Sequence, residues 1–272
     1  MVRNEWRWVE RTFASDLAIL LRQRRLAWEL YLADVAEQRR DSGLGLFAPF
    51  ISVLVHVALL GTVMSMVFQS PITTFIPFFA VSFSLWQATS TFVSSAAQAN
   101  DKTARYISFP DVSGYIVHLV NCYEFLTSLL LKFVASAIVI AVVNAEALAR
   151  INVPATVVGL VLLCATLLAW SLPMAYIFDR FRVLRGFLPQ LLFAVYLITP
   201  ILWEPERLSG HPWVVDFNPV FHLIDVARAP MLEGIWPGAS IAVVAGLFVL
   251  GVGASWVLYA FNRDLVVYRW IV

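Results

Sequence analysis

The chain has 272 residues, 60% of them hydrophobic and only 14% charged, and carries a net charge of +1. A mean hydropathy of +0.78 excludes an ordinary soluble domain, in which about a quarter of the residues are charged. The near-neutral balance gives no electrostatic footprint for nucleic acid, and Cys122 and Cys164, both in apolar stretches, offer neither a disulfide framework nor a metal site.

Residues 1–41 hold 15 charged side chains, eight Arg against seven acids. Leu17, Leu20, Leu21, Trp28, Tyr31, Leu32 and Val35 recur near helical spacing among them, with Arg24, Arg25, Arg39 and Arg40 on the other face. That pattern predicts an amphipathic helix at a membrane interface or against a partner. The near-equal acids favour a protein partner over a simple lipid anchor. Residues 42–100 then carry no charge at all. A spanning helix needs about 20 apolar residues, so this stretch holds two, broken at Gln69-Ser70-Pro71.

The remaining apolar runs complete an all-α, polytopic reading with six transmembrane helices at 46–68, 75–98, 115–143, 153–178, 186–203 and 237–261. The third span carries Glu124 and Lys132; eight positions apart, they diverge around the helix and do not pair directly. The fifth is short and holds Pro189 and Pro200. Two regions follow: an N-terminal segment, 1–41, and a transmembrane domain, 42–272.

Between the last two spans lies 204–233, too apolar for a solvated loop and too rich in proline for a span. Two short re-entrant helices at about 206–217 and 219–232 are expected, with Asp225 and Arg228 close enough on a helix to pair. Arg and Lys concentrate in 22–40, 102–105, 180–185 and 263–269, whereas the opposite set of loops holds six acids. The positive-inside rule then makes both termini cytoplasmic and 204–233 periplasmic.

A search for chemistry finds little. The four histidines have no metal-ligand spacing, no Ser nucleophile motif appears, and no P-loop is present. This chain is therefore not expected to bind nucleotide through a P-loop, and it is read as carrying no cofactor, no metal and no catalytic residues of its own.

Several segments in order carry a likeness. Glu37-Gln38-Arg39-Arg40-Asp41-Ser42-Gly43-Leu44-Gly45-Leu46-Phe47-Ala48-Pro49 leads from the amphipathic helix into the first span. Ser108-Phe109-Pro110 follows the second span, and Asp179-Arg180-Phe181-Arg182-Val183-Leu184 ends the fourth. Thr199-Pro200-Ile201-Leu202-Trp203 comes next, and then a run from Asn218-Pro219 through Arg228 to Gly234. Over residues about 25–265 the chain resembles the permease subunits of bacterial polysaccharide exporters of the ATP-binding-cassette type, those for O-antigen and capsule.

The resemblance implies a homodimer in the bacterial inner membrane, with two nucleotide-binding ATPase subunits that bind ATP and Mg on the cytoplasmic face. It implies a substrate polysaccharide on an undecaprenyl-pyrophosphate type lipid. On that footing Tyr31, Arg39, Arg40, Lys102 and Arg105 are expected to receive the ATPase. Phe47, Phe50, Phe187, Phe193 and Tyr196 are expected to line the substrate path. Arg180, Arg182 and Arg185 suit a lipid pyrophosphate, since guanidinium forks match phosphate. Asn218, His222, Asp225 and Arg228 are expected to form a periplasmic gate. The alternatives are an exporter of teichoic acid or of a small hydrophobic compound on the same architecture, an intramembrane enzyme on polyprenyl-phosphate sugars, or a secondary transporter.

Overall fold

A long apolar run has no solvent to satisfy its backbone, so it closes its hydrogen bonds internally as helix. The computed structural model describes residues 13–106, 113 and 115–268, and these are helical throughout their regular structure, with no strand among them. Ten principal helices follow one another: α1 (Phe13–Arg22), α2 (Arg24–Ser42), α3 (Gly45–Val67), α4 (Ile72–Ala97) and α5 (Ala99–Tyr106). Then come α6 (Ile116–Asn144), α7 (Val153–Arg180), α8 (Arg182–Ile198), α9 (Pro219–Leu232) and α10 (Gly238–Tyr268). Among the described residues five stretches are long and apolar enough to cross a membrane: α3, α4, α6, α7 and Gly238–Phe261 of α10.

The fifth expected span differs. A helix over 186–203 was expected; α8 instead covers Arg182–Ile198, 17 residues or about 26 Å, and stops where Thr199 turns extended at ψ 138° ahead of Pro200. Pro disfavours helical backbone in the residue before it, which places the stop. The segment 204–233, expected to hold two short helices, departs in its first half as well. Only a 3₁₀ turn at Pro205–Leu208 and one helical turn at Trp213–Asp216 form there, because Gly210 and Pro212 interrupt any helix over 206–217. Its second half is the helix expected, α9.

The centre of the bundle is α4, the most buried of the five long helices. It packs along α6 and also touches α7, α8, α9 and α3. Phe75, Phe79 and Phe83 recur every four residues on one stripe; Phe75 and Phe79 stack with centroids 6.2 Å apart, Phe79 and Phe83 at 5.5 Å. Such pairs contribute about 0.5–1.5 kcal/mol each beyond their burial. On the α6 side the seam is made of small polar residues. Ser84 and Ser136 hydroxyls lie 2.8 Å apart and Ser136 donates to the Ala80 carbonyl at 3.1 Å, letting the two backbones approach.

Two other contacts fix the layout. In α3 a π turn at Val57–Gly61 interrupts the α-helical ladder, and a Cβ on Gly61 would lie 2.9 Å from Ile76 of α4. In α7, a Cβ on Gly159 would fall 2.0 Å from the Val226 carbonyl oxygen of α9, so these helices meet backbone to backbone. The bundle has two poles. α2 and α5 sit at the proximal pole, α9 at the distal one.

Candidate functional site

At the proximal pole, α2 is held along the side of α6. Tyr31, only 5% exposed, meets the Thr127 hydroxyl at 2.5 Å, while Trp28 packs edge-on against Tyr123 with centroids 5.3 Å apart. Burial raises the Tyr31 phenol above its ordinary value; the Thr127 hydrogen bond opposes this and the Glu124 charge adds to it. α5 is fastened to both neighbours. Tyr106 donates to Asp34 of α2 at 2.8 Å, and the Lys102 ammonium reaches Glu124 at 3.3 Å and Asn121 at 3.1 Å on α6. Ser95 completes the shell of Glu124 at 3.0 Å. Glu124 thus pairs across helices with Lys102.

Between α2, the start of α3, and α4 and α6 lies a cavity of about 520 Å³. Lys132 enters it from α6 while being only 2% exposed. Gln87 of α4 donates to Ser52 of α3 at 2.7 Å, and its carbonyl oxygen is buried with no partner among the described residues.

The distal pole is built differently. Asn218 caps α9, its side-chain oxygen accepting from Val220 N at 3.0 Å and Phe221 N at 3.2 Å, with Pro219 in the first turn. Its amide donates to Thr199 at the end of α8 at 3.0 Å. Arg228, 3% exposed, pairs with Asp225 at 3.0 Å and donates to the Pro200 carbonyl at 2.7 Å and to Ser82 of α4 at 3.5 Å. Phe78 and Phe221 rings lie under its guanidinium at 5.1 and 5.3 Å. Asp225 also accepts from Ser240 of α10 at 2.7 Å, and His222 bonds Ser240 at 3.0 Å and the Asp216 carbonyl at 2.9 Å. Past α9, Gly234 turns the chain with φ +72° and its carbonyl accepts from Asn152, the cap of α7. Burial raises the Glu233 carboxyl above the ordinary carboxylate value; Asp225 and Glu206 add to this and Arg228 opposes it.

No family model matches this chain, and no curated protein matches it either.

The structure joins His222, Asp225 and Arg228 through Ser240 into one connected network, while Asn218 caps the same helix and bonds Thr199 at the end of α8. The five aromatic residues do not converge. Phe47, Phe187 and Phe193 lie on the surface at 63%, 58% and 61% exposure, while Phe50 is half-buried. Tyr196 turns the other way, stacked on Trp86 at 5.9 Å with its hydroxyl buried and unpartnered. Arg180 and Arg182 are exposed at the α7–α8 turn. Arg185 instead pairs with Asp101 of α5 at 2.6 Å, and its Nε and second terminal nitrogen are buried without a hydrogen-bond partner among the described residues.

Tyr31 and Lys102 face α6, so neither presents its polar atom outward; Arg40 is exposed. The side chains of Arg39 and Arg105, and the segment Ser108-Phe109-Pro110, lie outside the described residues. Sequence reasoning missed the cavity and the serine seam. The available signal was the four-residue spacing of Ala80, Ser84 and Ala88 within an otherwise bulky span.

Proposed function

We propose that this chain is the permease subunit of an ATP-driven exporter moving a polysaccharide on an undecaprenyl-pyrophosphate type lipid across the bacterial inner membrane. The observation that carries the reading is mechanical. The two segments on which an ATPase would press, α2 and α5, are bonded to each other through Tyr106 and Asp34, and both are anchored on α6. The Arg185–Asp101 pair carries the same displacement to α8. Force applied from outside the chain thus reaches the bundle through polar contacts at three points.

In this reading the proximal pole is cytoplasmic, both termini lie there, and α8 is a sixth, shorter span. The exposed apolar surfaces of α3 and α8, with Phe47, Phe187 and Phe193, meet their counterparts in a second copy and border the glycan path. Arg180 and Arg182 receive the lipid pyrophosphate at the α7–α8 turn. α9 dips into the outer leaflet: Arg228 reaches Ser82, ten residues or about 15 Å along α4 from Ile72. Its network is the gate.

The test is co-purification of the full chain with a P-loop ATPase from the same cell, followed by export assays. The reading requires a stable complex and loss of export when the partner's Walker lysine is changed to Ala. Failure to bind any ATPase, or export indifferent to that lysine, overturns it.

A further inference from the structure

The Lys132 cavity is unmatched in a specific way. Lys132 lies nine-tenths and more buried, yet among the described residues no acceptor is hydrogen-bonded to its ammonium, whose three donors all need one. On the facing helix the Gln87 carbonyl oxygen is a buried acceptor without a donor. An occupant complementary to both offers acceptors to Lys132 and a donor to Gln87.

The surrounding charges narrow the class. Lys102 and Glu124 neutralise each other, whereas Asp34 and Glu37 line the α2 side. Among the described lining residues the cations are Lys102, already paired with Glu124, and Lys132, while Asp34 and Glu37 add two more carboxylates; a dianion is therefore disfavoured, and a monoanion is placed on Lys132. Hydroxyl groups suit the rest of the wall, since Gln87, Asp34 and Glu37 accept hydrogen bonds and Ser52 both donates and accepts. About 520 Å³ is within the range of small-ligand sites, roughly 300–1,000 Å³.

We propose that the cavity between α2, α3, α4 and α6 binds a monoanionic phosphodiester bearing hydroxyl groups, with its phosphate on Lys132 and a hydroxyl on Gln87. This inference does not depend on the export reading.

A membrane lipid with a glycerol headgroup and a soluble glycerophosphodiester share this chemistry, and the experiment separates them. Full-length protein is titrated with glycerophosphoglycerol, and in parallel is placed in bilayers of phosphatidylglycerol or phosphatidylcholine, with retained lipid counted by native mass spectrometry. Saturable binding is expected in at least one arm. It should weaken about tenfold or more in Lys132→Met, the loss of one charge-assisted contact, and stay within about threefold in Lys132→Arg.

Binding of glycerophosphoglycerol identifies a soluble ligand; selective retention of phosphatidylglycerol alone identifies the lipid. If Lys132→Met does not fold, Gln87→Leu replaces it, with a weakening of about threefold or more expected from one lost hydrogen bond. Absence of binding by the wild-type chain in both arms overturns the proposal. So does binding that the informative variant leaves unchanged, or equal retention of both lipids with no soluble binding.

Discussion

The two poles handle buried polar groups in opposite ways. At the distal pole, Arg228 is shared among a carboxylate, a carbonyl and two aromatic faces, and its partner Asp225 is held in turn by Ser240. At the proximal pole the contacts are as short, but the polar set is incomplete among the described residues: Lys132 and Gln87 line a cavity, and the Gln87 carbonyl oxygen is buried without a donor. A satisfied low-dielectric network rigidifies what it joins, whereas an incomplete one is costly until something completes it. The distal pole is thus a closed joint, and the proximal one a joint with a place left in it.

The largest expected effect comes from attacking the closed joint at its backbone. Gly159→Ala puts a methyl 2.0 Å from the Val226 carbonyl, and neither backbone has room to yield. Such overpacking costs about 3 kcal/mol or more, read as loss of folded, monodisperse protein in detergent. Gly246→Ala on α10, where a Cβ meets nothing within 4 Å, should leave yield and melting unchanged.

Next in size is the contrast between ion pairs. Arg228→Met strands Asp225 in a buried site and should cost about 3–5 kcal/mol. Lys102→Met breaks a pair about one quarter exposed at each side chain and should cost about 1 kcal/mol or less. The two melting midpoints, measured side by side, decide it; equal losses would erase the distinction between the poles.

The smallest effect concerns Glu233. Because its folded value lies above the ordinary carboxylate value of 4.5, the folded state holds the proton more tightly than the unfolded chain. Stability from this group is present at lower pH and declines as pH rises from about 4.5 through the raised value. Glu233→Gln should remove that slope from a melting-against-pH series. The change is small, since the side chain is largely exposed.

The long helices are legible in the sequence because the bilayer fixes how long an apolar run must be. The expected 46–68, 115–143 and 237–261 match the helices to within a few residues. The Asp225–Arg228 pair is legible for a local reason, helical spacing, and it forms at 3.0 Å. What spacing cannot supply is which helix lies opposite. Lys102 pairs with Glu124 across 22 positions, and Tyr196 turns inward toward Trp86, a contact decided by packing between helices. The failed 206–217 helix has a local cause, Gly210 and Pro212, that apolar composition outweighed in the reading.

The π turn at Val57–Gly61 has a dynamic meaning. A regular helix turns as one rod, but one surplus residue divides α3 into two rods with separate registers. The distal rod is pinned where Gly61 abuts α4, while the proximal rod carries Ser52 and Pro49 beside the cavity. The break in the hydrogen-bond ladder thus separates the part of α3 that lines the cavity from the part seated against α4.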